Sequence, residues 1–248
     1  MRRPPRSPAL ILTLTLLAAS TVAHAQTRAQ TRAQTMADEA VAWLQDYLRI
    51  DTVNPPGNES RAVAFIGDIL DAEGIAWNAA ESAPGRGNLW ARLEGGDEPA
   101  LILLQHTDVV PADEKYWTTD PLSGERRDGF IWGRGAIDMK GTGTSHLASF
   151  IALHRAGKAL NRDVVLIATA DEEAGGLFGA GWLLENHPEI FAGAGLLLNE
   201  GGAGELSADG ETVFSVEVTQ KVPVWLRLTA VDRPGHGSMP NPTSSVTR

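Results

Sequence analysis

Four clusters of histidine and carboxylate side chains, each placed beside glycine or just after an apolar run, hold most of the chemistry in this chain. His106-Thr107-Asp108 follows the apolar run Leu101 to Leu104. An imidazole at a strand end can ligate a metal through one ring nitrogen. Asp108, two residues on, points to the same side of an extended strand, where it can accept the other ring N–H and fix the tautomer. In Gly133-Arg134-Gly135-Ala136-Ile137-Asp138-Met139-Lys140-Gly141, glycines on both sides of Asp138 permit unusual backbone angles. Asp171-Glu172-Glu173 follows the buried run Val164 to Ala168. Three adjacent carboxylates repel one another unless a cation is present, and they suit a division of labour. One binds the metal while a neighbour acts as general base on metal-activated water. Asn199-Glu200-Gly201-Gly202 repeats the pattern after Leu196 to Leu198. Each cluster alone has a plainer reading: a structural histidine, an N-cap aspartate, a solvated acidic loop. Their common place at strand ends favours a joint role, because ligands of open α/β sheets gather at the carboxyl ends of the strands.

The elements that must position these groups follow from periodicity. Ala37 to Arg49 places Val41, Leu44, Tyr47 and Leu48 on one side of a helix, and Asn54-Pro55-Pro56-Gly57 makes a rigid turn. A second helix runs from about Ser60 to Glu73, with Gly74 as its stop. Leu89 to Leu93, Leu101 to Leu104, Val164 to Ala168 and Leu196 to Leu198 read as strands, the last two buried. Gly141 to Arg155 and Ala180 to Glu185 read as helices. Buried strands alternating with helices predict an α/β fold, a mostly parallel central sheet with helices on both faces. Thr212 to Thr219 and Val224 to Val231 alternate apolar and polar residues, as in a sheet solvated on one face. A first domain carrying the four clusters is therefore expected over 37–220, with a second, smaller α+β domain beginning at 221–248.

The chain has no cysteine, so any metal must be held by His, Asp and Glu. A formal net charge of -10 gives nucleic-acid binding no electrostatic support. Arg2, Arg3 and Arg6 precede the apolar stretch Ala9 to Ala19, and Ala23-His24-Ala25 presents small residues where a signal peptidase cuts. The stretch is short for a permanent anchor. Residues 1–25 are expected to be a signal peptide and 26–36, a short Ala-Gln-Thr repeat, a flexible leader. Cleavage after Ala25 removes three basic residues and no acidic one, taking the charge from -10 to -13. The expected location is periplasmic or secreted, with no stable membrane anchor.

The four ordered motifs resemble the signature of the zinc-dependent aminoacylase, glutamate carboxypeptidase and succinyl-diaminopimelate desuccinylase family. Thr52-Val53-Asn54-Pro55-Pro56-Gly57-Asn58-Glu59 leans toward its carboxypeptidase S-like branch. The resemblance runs from about Ala37 to the end. It implies two zinc ions, with Co2+ or Mn2+ as substitutes. His106 and Glu200 would hold one, Glu173 would help hold the other, and Asp138 would bridge them. Asp108 would orient His106, Glu172 would be the general base, and the peptide bond after Asp138 would be cis. Many relatives carry an acid where this chain has Asn199; Glu200 takes the ligand role because an amide is a poor ligand for zinc. Pro234-Gly235-His236-Gly237-Ser238 matches a lid motif whose histidine, in dimeric relatives, stabilises the oxyanion in the partner's site. Relatives supply a second histidine ligand from further downstream than Arg248, so a C-terminally truncated chain is expected.

The expected activity is hydrolysis of an amide bond in small peptides or N-acyl amino acids, carboxypeptidase-like, by a zinc-activated water with a glutamate base. The rival within the class is an N-acyl amino acid deacylase. The rival outside it is a catalytically incomplete metal-binding fragment. The intact Glu172-Glu173 pair argues against an old loss of catalysis.

Overall fold

The computed structural model describes residues 30–31, 34–219, 224 and 226–231. Among the described residues the first helix, α1, covers 30–31 and 34–48. It starts before Ala37 because Met36 already packs on the core. The helix α2 is Ser60–Ala72, and its buried face holds Val63, Ile66 and Leu70. The strands β1 (Trp77–Glu81), β2 (Gly87–Leu93) and β3 (Glu98–His106) follow. A small hairpin of β4 (Glu125–Arg127) and β5 (Phe130–Trp132) precedes α3 (Lys140–Ala156). Then come β6 (Arg162–Thr169), α4 (Ala180–Asn186) and β7 (Ala194–Leu198).

The five strands β1, β2, β6, β3 and β7 form one sheet in that order. The strand β6 lies parallel to β3, and β3 parallel to β7, while β2 is antiparallel to both of its neighbours. Four strands therefore run one way and β2 alone opposes them. Alternation along β6 sorts its residues between two cores. Val164, Leu166 and Ala168 face α2 and α3, packing with Ile66, Leu70, Phe150 and Ile151. Val165 and Ile167 face Leu183 of α4 and Ile190. Helices thus cover both faces, as the apolar runs predict. Lys140 is fully buried and donates to the carbonyls of Tyr47 and Ile50, 3.0 and 2.7 Å away, fastening the end of α1 beneath the loop that carries Asp138.

Two expectations of buried or regular strand differ from the structure. The leucines of β7 are about half exposed, since β7 is an edge strand bonded only to β3 among the described residues. Hydrophobicity marked the strand correctly, but cover on its faces depends on elements that a local pattern does not reveal. Described residues between 224 and 231 form no strand, and alternation alone does not make one without a partner to bond.

Contacts divide the chain after Glu200, into residues 1–200 and 201–248. In the second unit β8 (Ala203–Leu206) pairs antiparallel with β9 (Thr212–Ser215). Lys221 and the expected signal segment lie outside the described residues. Among those described, no helix is long and apolar enough to cross a membrane.

Candidate metal centre

The strand β3 ends on His106, whose side chain is almost wholly buried. Its Nδ1 lies 3.0 Å from the backbone carbonyl of Asp108 and 3.4 Å from that residue's carboxylate. The carbonyl is the nearer acceptor for an Nδ1–H, a refinement of the expected carboxylate contact. Either way Nε2 is left to face outward. Around it stand Asp138 at 3.0 Å, Glu200 at 3.6 Å and Glu172 at 3.8 Å. One ligand atom from each of His106, Asp138 and Glu200 falls within 4.8 Å of the others.

Each group is delivered by its local backbone. Asp138 sits in the glycine-flanked loop, where Gly135 has φ +85° and a Cβ there would lie 2.6 Å from Val109. The Asp138–Met139 bond is cis. Glu172 and Glu173 occupy a 3-10 turn, Glu172–Ala174, entered through Asp171 at φ 69°. Glu200 stands two residues past the end of β7, while its neighbour Asn199 is exposed and outside the trio.

Asp108 is the hub. Its buried carboxylate accepts the backbone N–H groups of Glu172 and Glu173, each at 3.1 Å, and the Asn54 amide at 2.8 Å. Burial opposes its charge, but the hydrogen bonds from His106 and Asn54 prevail and hold the carboxyl below the usual range. Burial also opposes protonation of His106. Asp108, with Glu200 and Glu172 beyond it, pushes the imidazole up to about 9. Burial, partly offset by His106 and reinforced by Asp138, pushes Glu200 up to about 7. Glu173 is likewise raised, by burial and then by the charge of Asp138. Carboxylates crowded until their acidity is suppressed, around a buried imidazole with an outward nitrogen, fit a divalent cation. A nitrogen and oxygen donor set suits zinc, manganese or cobalt.

The expected site residues His106, Asp108, Asp138, Glu172, Glu173 and Glu200 thus come together. Glu173 reaches Asp108 through its backbone but is not one of the three mutually close ligand atoms. His236 lies outside the described residues. Sequence reasoning gave no individual role to Asn54, Glu59, Arg86 or Lys140. Arg86 and Lys140 had no local signal, as both are charged residues buried by distant partners.

The model of peptidase family M20/M25/M40 matches residues 102–230, just over half of the chain. The chain belongs to this family. Aminoacylase-1 of Sus scrofa is 36% identical over 204 residues, covering 80% of this chain and 48% of the relative. Succinyl-diaminopimelate desuccinylase of Methylobacterium radiotolerans is 32% identical over 212 residues, covering 82% and 52%. Among solved structures, the M20 family metallo-carboxypeptidase Sso-CP2 from Sulfolobus solfataricus superposes with a TM-score of 0.58 at 25% identity, over 69% of this chain and 39% of that one. Human carnosine dipeptidase 1, at 24% identity and a TM-score of 0.57, shares the fold. This M20-family chain spans about half the length of the curated relatives it matches.

Proposed function

We propose that the protein of which this chain forms at least a part hydrolyses amide bonds of N-acyl amino acids or small peptides with the help of divalent cations, zinc first among them. The observation that carries this reading is the convergence of Asp138, Glu200 and Glu172 on the outward nitrogen of His106. His106, Asp138 and Glu200 would hold one cation. Glu173, with Asp138 as the bridge, would hold part of a second. Such a centre supplies an acidified water and polarises the scissile carbonyl. Asp108 keeps the His106 ring in register. Glu172, half exposed and not needed by the trio, takes the proton from the attacking water and returns it to the leaving amine. In a homodimer, His236 of one copy would stabilise the oxyanion in the other.

The higher identity to aminoacylase-1 supports N-acyl amino acids over dipeptides as preferred substrates. A panel of both, assayed with and without a chelator, tests the reading; chelator-insensitive turnover, or none with either class, refutes it. The N-terminal basic and apolar segment supports export. Mass spectrometry of the extracytoplasmic protein is expected to find a mature N-terminus at Gln26.

A further inference from the structure

One buried ionic network lies behind the metal centre and meets it through the Asn54 amide and the chain at Asp171. Glu59 stands at the start of α2, where a carboxylate could cap the helix, yet its side chain makes no cap. It is turned inward and fully buried, accepting Nε and Nη2 of Arg86 at 2.8 and 2.7 Å. Gly57 makes room for the pair: a Cβ there would lie 2.6 Å from the Glu59 carboxylate and 2.7 Å from Arg86 Nε. The same Nη2 of Arg86 donates to Asp171 at 2.8 Å, and Glu59 accepts the Asp171 backbone N–H at 3.2 Å. Asp171 in turn accepts the Phe178 N–H at 3.1 Å and shares the Asn54 amide with Asp108. One guanidinium therefore serves two buried carboxylates. Asp171 is the left-handed residue through which the chain enters the Glu172–Ala174 turn.

Mere packing at this depth needs no charge, since apolar groups of the same volume serve as well. The planar fork of arginine instead fixes direction. It holds Asp171 through Oδ1, while Asp108, itself held by Asn54, accepts the backbone N–H groups of Glu172 and Glu173. We infer that Arg86, clamped by Glu59, is a positioning residue that sets the orientation of Glu172 and Glu173 through Asp171. Its effect on catalysis rests on the proposed role of Glu172; its effect on the turn does not.

The test uses the full natural chain with its metal, as wild type, Arg86→Ala, Arg86→Lys and Glu59→Gln. Backbone amide exchange is followed over 171–178, with α3 and β6 as internal references. Arg86→Ala is expected to speed exchange in the turn at least about tenfold and leave α3 unchanged. Added guanidinium should restore protection, and Lys should restore it only in part because it lacks the fork. Metal affinity or kcat should fall about 10–100-fold, as for other residues that orient ligands, with KM within about twofold. Unchanged protection of the turn overturns the inference. So does a general loss across all elements, shared by Glu59→Gln and unrepaired by guanidinium, which would mean a folding role alone. If wild type hydrolyses no amide but the turn loosens as described, the proposed function fails and the positioning role stands.

Discussion

At the residue scale, protons and the proposed cation would compete for the same atoms. Ligation requires a neutral imidazole and an ionised carboxylate. With His106 at about 9 and Glu200 at about 7, both bind protons more tightly in the metal-free protein than their ordinary values imply. Lowering pH fills these sites with protons, so apparent metal affinity should rise as pH goes from 6 toward 9. Calorimetry at pH 7 in buffers of different ionisation enthalpy should find between roughly one and two protons released per first cation. A pH-independent affinity over that span would contradict the assigned ligands. Glu172→Gln separates the proposed base from the proposed ligands: kcat should drop by about 100-fold or more while metal content, read by elemental analysis, stays unchanged. The clustered residues were legible because each chemical cluster followed an apolar strand or a glycine turn. The arrangement behind them was not. Asn54 meets Asp108 across 54 residues and Arg86 meets Asp171 across 85, and no local spacing encodes such meetings.

At the element scale, periodicity identified α2, α3, α4 and the core strands, because burial on a face dictates residue type at every second or every third to fourth position. It missed β1, which is mostly exposed, and the β4–β5 hairpin, too short for a periodic signal. The hairpin did carry one mark: Asp128-Gly129, both at positive φ, is the two-residue loop such ribbons favour. The central strand β6 bears most of the packing. Leu166→Ala there should cost about 2–5 kcal/mol in denaturant unfolding. The matching change Leu197→Ala on half-exposed β7 should cost less than about 1 kcal/mol, and equal losses would refute the asymmetry between these strands.

At the scale of the whole molecule, the first unit closes on Glu200, one of the three mutually close ligand atoms. A cation that ties Glu200 to His106 and Asp138 links the end of this unit to its central sheet. Metal binding should therefore add to global stability, by about 2.7 kcal/mol when free zinc is a hundred times its Kd. A chelator should move the denaturant midpoint down correspondingly, and Asp138→Ala should abolish that response. The fold class was readable from the order of strands and helices. The reversal of β2 was not, since an antiparallel strand buried between two neighbours has the same composition as a parallel one.

The exposed strand β7 has a further consequence in concentrated solution. Among the described residues no strand pairs with its outer edge, a glycine- and leucine-rich stretch without a single charge from Ala194 to Leu198. Such an edge is a template on which another extended chain can add, and three half-exposed leucines would seal the junction. Self-association through this edge should make light scattering climb steeply with protein concentration. Leu197→Lys, a gatekeeping charge placed mid-strand, should suppress that climb while leaving zinc affinity intact.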